Sequence, residues 1–442
     1  MANDIKKETS NALFQLNGVP EFRKAFPLAL QHVVAMIVGC VTPAIIVSNS
    51  AGISEKEKVI LIQASLVIAG ISTLLQLFPI GKYFGSGLPV ILGVSFAYVP
   101  SMQAIVESYD IGTILGAQIV GGIIAMVVGL FVKQLRKFFP PLITGTVVFS
   151  IGLSLYQVAI NYMAGGLGSP TYGSLKNWSV AIFTLAIVTI LNHFSKGLLK
   201  LASILIGMAA GYVLAFSLGM VNFSNVTSSN LVYIPTPLHF GINFNLSACV
   251  AIGLLFAINA IQAIGDFSAT TIGSIDREPT DTELQGGIVA YGISNMLGAI
   301  LGGLPTATYS QNVGIVVTTK VVNRIVLGLA AILILLAGII PPFSALLTTI
   351  PSCVLGGATI SVFASIAMTG IKLITSEPMT FRNTSIVGLA VAIGMGVTQA
   401  QITGALAPLP DWVTMIFGKS PVVLATLVAI FLNQVLPKEQ KN

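Results

Sequence analysis

Apolar runs of about twenty residues, separated by short polar and charged stretches, repeat along the whole chain. They lie near 27–48, 59–78, 88–104, 111–132, 139–160, 178–194, 199–219, 246–272, 284–303, 305–321, 323–341, 345–369, 383–404 and 416–436. Runs of this length suit helices across the hydrocarbon layer and are too long and too uniformly apolar for the ~10-residue alternating strands of a barrel. The pattern predicts an all-α polytopic membrane protein with 14 transmembrane segments. The third and tenth runs are short and rich in Gly, Pro and polar residues, so both are expected to be broken.

Composition closes the other classes. Hydrophobic residues make up 55% of the 442 and charged residues 8%, against roughly 25% charged in soluble domains. Neither a soluble globule nor a disordered chain has this balance. A net charge of +6 invites a nucleic-acid reading, but the 21 Lys and Arg are thinly spread and form no basic cluster. Cys40, Cys249 and Cys353 all fall in apolar runs with no CxxC pair, so they read as small core residues and not as metal or redox groups. Residues 1–25 contain no apolar core, and no cleavable signal peptide is expected.

Charge between the runs sets the orientation. With a cytoplasmic N-terminus, 17 of the 21 basic residues fall on the cytoplasmic side and 4, Lys56, Lys58, Lys176 and Lys419, fall outside. The positive-inside rule then predicts both termini in the cytoplasm of a multi-pass protein of the cell membrane. The chain also echoes itself. Gly87-Leu88-Pro89 opens the third run and Gly303-Leu304-Pro305 the tenth; Pro140-Pro141-Leu142-Ile143-Thr144-Gly145 is followed by a partner, Pro351-Ser352-Cys353-Val354-Leu355-Gly356. Seven runs per half is odd, so the second half enters from the opposite side. That is an inverted repeat, a ground plan of secondary transporters.

Pro89 and Pro305 break their helices and leave backbone groups unpaired, which hydrocarbon tolerates only around a protein-lined cavity. Each helix resuming after a break aims its positive end at that cavity and favours an electron-rich substrate. Among the 15 acids, Asp266 alone lies inside a run, with Gln262 one turn earlier on the same face. Asp266 is read either as a functional group or as a structural acceptor between helices; His32 has the same two readings. The densest polar cluster, Thr306-Ala307-Thr308-Tyr309-Ser310-Gln311-Asn312-Val313-Gly314, follows Pro305, with Ser310 placed to cap the next helix. Gln311 and Asn312 each offer a donor and acceptors, which grip a planar ring bearing lactam N–H and C=O groups, or bond across helices. In the facing break, Ser95 supplies a hydroxyl and Phe96 or Tyr98 a ring for stacking.

Gln311-Asn312-x-Gly314-x-x-x-x-Thr319-Lys320 resembles the signature of the nucleobase–ascorbate transporter family. Gln31-His32-Val33-Val34-Ala35-Met36, Gly265-Asp266 and Asn161-Tyr162-Met163-Ala164-Gly165-Gly166 are similar to further family motifs, and the match runs from about 20 to 436. The resemblance implies short antiparallel strands in the two broken runs. It implies a core domain (26–132 and 246–341) moving against a gate domain (133–219 and 342–436), with cytoplasmic tails at 1–25 and 437–442 and an extracellular loop at 220–245. It implies a nucleobase substrate, xanthine, uric acid or uracil, and homodimers occur in the family. By position, Gln311 would bind the base, Asn312 and Gly314 would shape the site, Ser95 and Phe96 would line its other side, and His32 would support it; Tyr309 and Ser310, beside Gln311 in the polar cluster, are further candidates for substrate contact.

Two positions depart from the family pattern. Gln262 stands where many members have a substrate-binding Glu, and Tyr291 where many have an Asp. Neither changes charge, so Asp266 is left as the carrier if a proton is the coupling ion; sodium coupling and facilitated diffusion stay open. Tyr291 is read as filling space near the site. No HExxH or GxSxG motif is present, no cofactor is expected, and the chain reads as a transporter and not an enzyme. The alternatives are another nucleobase of the same fold, or a related-fold anion transporter.

Overall fold

The computed structural model describes residues 12–81, 83–135, 140–222, 233–410, 413–418 and 420–437. The ends of both tails, the middle of the 220–245 loop and the basic residues Lys6, Lys7, Lys82, Arg136, Lys137, Lys419, Lys438 and Lys441 lie outside the described residues.

The chain is helical nearly throughout. Helices α1 (Phe22–Ser50) and α2 (Glu55–Leu77) lead into strand β1 (Leu92–Val94), a 3-10 turn and helix α3 (Val99–Val106). Next come α4 (Ile111–Leu130), α5 (Pro141–Met163), α6 (Leu175–Phe194), α7 (Ser203–Ser217), α8 (Leu246–Ile275) and α9 (Asp281–Leu301). Strand β2 (Thr306–Thr308) is followed by α10 (Ser310–Thr319), α11 (Arg324–Ile339), α12 (Pro341–Thr348), α13 (Ser352–Ile374), α14 (Phe381–Ile402) and α15 (Pro421–Val435). Local chemistry sets the starts. Ser54 with Glu57, and Thr280 with Glu283, form capping boxes on α2 and α9, while Asp110, Ser174, Asn245, Asn323 and Thr380 cap five more helices.

Among the described residues, nine helices are long and apolar enough to cross a membrane alone. The run expected at 323–341 instead ends at Ile339, where Pro341 and Pro342 turn the chain by 78° into α12. The expected third and tenth runs are each a three-residue strand followed by short helix.

Glycines let helices approach closely where lipid offers no hydrophobic drive to pack them. A Cβ on Gly145 of α5 would lie 2.7 Å from the backbone N of Ile374, at the far end of α13; one on Gly356 of α13 would lie 2.3 Å from that of Met163, at the far end of α5. The two helices thus pack antiparallel, each through the glycine of its own Pro-initiated start. One end of the bundle is tied by Asn323, whose Nδ2 donates to the carbonyls of Ala12, Gln15 and Gly18 at 2.9, 3.0 and 2.7 Å, and by Arg324 Nε donating to Gly87 O at 2.6 Å. At the opposite end Gln103 Nε2 donates to Ser50 Oγ (2.9 Å) and Asn49 Nδ2 to the Tyr162 hydroxyl (3.3 Å).

β1 and β2 pair antiparallel in the buried interior, with Leu92 opposite Thr308, Gly93 opposite Ala307 and Val94 opposite Thr306. Tyr309 N–H to Ile91 O (2.9 Å) and Ser95 N–H to Pro305 O (3.0 Å) extend the pairing. A two-stranded ribbon in an apolar interior has two bare edges. Single side chains close them. Thr73 Oγ1 accepts from Leu92 N–H and donates to Leu92 O, both at 3.0 Å. The Asn295 carboxamide accepts from Thr306 N–H at 2.8 Å and reaches Thr306 O at 3.4 Å. Tyr309 O–H donates to Val94 O at 2.6 Å. Thr73→Val preserves shape but orphans Leu92, and is expected to lower stability by about 1–3 kcal/mol, read as an earlier thermal unfolding midpoint in detergent. An unchanged midpoint would show that this edge is satisfied otherwise.

Candidate substrate site

A cavity of about 150 Å³ lies where the chain leaves both strands. Ser95, Phe96 and Ala97 line it after β1, and Thr308, Tyr309, Ser310 and Gln311 after β2. Gln262 enters from α8, Gly39 from α1, Val148 and Ile151 from α5, and Ser365, Ile366 and Thr369 from α13. The volume is well below the ~300–1,000 Å³ of sites for drug-sized ligands, and suits a ligand of one or two fused rings. The helical segments starting at Phe96 and Ser310 both point their N-termini at it, a positive environment for an electron-rich ring.

Asp266 is buried beneath the cavity. Thr308 Oγ1 and Ser310 Oγ both donate to its carboxylate, the second at 2.8 Å. Ser310 was expected to cap α10; the cap position is instead Tyr309, which makes no side-chain cap bond, and Ser310 is the first helical residue. Its hydroxyl goes to Asp266 because a buried carboxylate needs donors more than a helix start facing a polar cavity needs an acceptor. Asn312 turns away from the cavity: its Nδ2 lies 3.1 Å from His32 Nδ1 and donates to His32 O at 3.2 Å, while its Oδ1 has no partner among the described residues. Asn312 and His32 therefore lock α10 to α1 behind the site.

Tyr98 and Tyr291 also sit apart from the cavity. Their hydroxyls bond each other, and both rings pack on Phe256, with centroids 5.0 and 5.6 Å away. Tyr98 is thus unavailable for stacking; of the two aromatics weighed for that role, Phe96 is the one lining the cavity. Alternation in the 3-10 turn sends residues two apart to different sides. Gly314 is exposed and, like Gly265 across from it, has open space where a Cβ would stand.

Sequence reading missed four contributors. Thr73 and Asn295 each sit in the helix before a break, a position that an unpaired strand edge requires. Ser365 and Thr369 lie four apart on α13, and each donates to the backbone carbonyl one turn earlier, so they read as ordinary helix hydroxyls.

The cavity is open on one side. Exposed Gly265 and Ala269 on α8 and Gln311 and Gly314 on α10 run from it toward the end holding Lys320. On the other side Phe96 meets Phe363 of α13 edge to face, centroids 4.9 Å apart, and Ser101 and Ser420 share a 2.9 Å hydroxyl bond. Close packing also fixes Gly93, where a Cβ would lie 2.6 Å from Cys40 Sγ and 2.8 Å from the Tyr309 ring. Gly93→Ala is expected to cost about 1–3 kcal/mol through overpacking and to displace Tyr309, so uptake falls more than membrane abundance does. Uptake in step with abundance would place the damage in folding alone.

Comparison with known proteins locates this architecture. The sequence matches the model of the Permease family over residues 23–403. It is 34% identical to the xanthine permease of Bacillus subtilis over 415 residues, covering 93% of each chain. It is 34% identical to the uric acid permease PucJ of the same organism over 417 residues, 93% of this chain and 92% of that one. It is 32% identical to the xanthine permease XanQ of Escherichia coli over 450 residues, 98% of this chain and 96% of that one. Among solved structures, the transmembrane domain of the cyanobacterial bicarbonate transporter BicA superposes with a TM-score of 0.58 at 15% identity, covering 93% of this chain and 98% of that one. The structure of SLC26A9 gives a TM-score of 0.60 at 11% identity, covering 93% of this chain and 66% of that one. These two share the fold. The chain is a multi-pass membrane transport protein and not an enzyme, and it belongs to the nucleobase–ascorbate transporter family with these bacterial permeases.

Proposed function

We propose that this chain imports a purine, xanthine or uric acid, by alternating access. One observation carries the reading: two carboxamides, Gln262 and Gln311, converge on one small cavity between two helix N-termini, with the Phe96 ring on its wall. Carboxamides grip an edge of alternating N–H and C=O bidentately, and an oxopurine presents such edges. The Bacillus and Escherichia relatives, xanthine and uric acid permeases, support the same substrate class.

The same reading takes the chain as 14 segments in two inverted halves, termini cytoplasmic, with the core (26–132, 246–341) rocking against the gate (133–219, 342–436). The antiparallel ribbon and the reciprocal glycine contacts of α5 and α13 are what a twofold axis in the membrane plane produces. The end holding Lys320 and Arg324 is then cytoplasmic, and the open side of the cavity is the inward-facing state. Coupling falls to a proton on Asp266, the one buried carboxylate among the described residues. Both hydroxyls that hold it can reverse their bonds when it is protonated.

Uptake of labelled xanthine into proteoliposomes tests this, with unlabelled uric acid, hypoxanthine, guanine and uracil as competitors, under a proton gradient, a sodium gradient and neither. Saturable uptake that follows the proton gradient is expected, with uric acid the strongest competitor. Transport of bicarbonate or chloride with no nucleobase uptake would favour the anion reading that the shared fold keeps open.

A further inference from the structure

Two adjoining cavities of about 580 and 390 Å³ lie beyond the Phe96–Phe363 contact, at the end of the bundle holding Ser50. Both are lined by Gln103 of α3, Glu107 just past its end and Asn161 of α5; Asn49 of α1 lines the first, and Gln157 and, from α14, Gln399 and Gln401 line the second. The faces involved are continuations of those lining the inner cavity. Gln103 of α3 and Glu107 just past its end follow Phe96 at helical spacing, and on α5, Ser154 and Val158, which also line the second cavity, follow Ile151 in the same way. A ligand on this side therefore meets the vestibule first and the aromatic contact second.

The lining has more than a water path needs. Six carboxamides and one carboxylate converge there, in a chain that is 55% hydrophobic. Gln401 Oε1 is buried with no hydrogen-bond partner among the described residues. These are the groups that the inner cavity presents as Gln262 and Gln311. The combined space falls within the range of small-molecule sites.

We infer that this vestibule is a second, outer binding site for the same polar-edged planar ring, occupied before the Phe96–Phe363 contact opens. The inference rests on the nucleobase reading above, and it adds a site that binds without Gln311. Glu107 would accept ring N–H groups and the carboxamides would pair with lactam edges.

Thiol accessibility tests it. Gln399→Cys is made in the otherwise native protein and again with Gln311→Ala, and each is treated in right-side-out vesicles with a membrane-impermeant thiol reagent. The native protein serves as blank: Cys40 and Cys353 are buried, and any labelling of the partly buried Cys249 is subtracted. Xanthine at about three times its Kd is expected to slow labelling about fourfold in both forms. Adding Gln103→Leu should weaken that protection in both. Protection that vanishes with Gln311→Ala would overturn the outer site, because it would then report closure around the inner one. Absence of protection in a protein that still transports xanthine would overturn it as well. A native protein that transports no nucleobase would defeat the parent reading and this site together.

Discussion

Gln311→Ala is expected to abolish xanthine uptake while the protein stays in the membrane at its normal level. Gln311 is the second residue of α10, and its side chain is exposed to the cavity. Alanine suits a helix at least as well as glutamine, so the fold has little to lose. The ligand loses a great deal. Two edge groups of the base would sit in the site without partners, each costing about 1–3 kcal/mol. Taken together they weaken capture by roughly 10–10⁴-fold, at 1.4 kcal/mol per factor of ten. Gln262 cannot take over, since it approaches from α8 on another wall. Uptake at the native rate would remove Gln311 from the site and the purine reading with it.

Asp266→Asn separates charge from geometry. The carboxylate accepts from Thr308 and Ser310, and both hydroxyls either donate or accept. The asparagine oxygen keeps one bond and its amide donates to the other hydroxyl, so the link between α8 and the start of α10 survives. What disappears is a group able to carry a proton. Exchange of labelled for unlabelled xanthine is expected to continue, while accumulation under a pH gradient falls to equilibration. For one proton per substrate, a one-unit gradient, ~1.4 kcal/mol, supports about tenfold accumulation, and that factor is what the variant should lose. Accumulation that persists would refute Asp266 as carrier. Asp266→Ala provides the contrast: it strands both hydroxyls and should lose exchange too.

Hydropathy and the two prolines made the membrane class and the broken segments legible, and side-chain chemistry the glutamines that line the cavity. Each depends on properties carried within one window of sequence: apolar length, a missing N–H, a side chain with donor and acceptor together. The bonding partners were not legible in that way. Asn312 looked like a twin of Gln311, yet one residue along a helix turns a side chain by about 100°, and it meets His32, 280 residues away. Ser310 had the local form of a cap and serves Asp266 instead. Tyr98 resembled Phe96 as a stacking ring and is taken by Tyr291, 193 residues on. Thr73 and Asn295 carried no local signal, because the bare strand edges they satisfy arise only when β1 and β2 meet. Sequence alone determined which segments enter the bilayer and which residues are capable of gripping a flat polar ring. Tertiary structure decided which of them face the cavity, since a buried polar group goes to whichever partner the packed helices bring within about 3 Å.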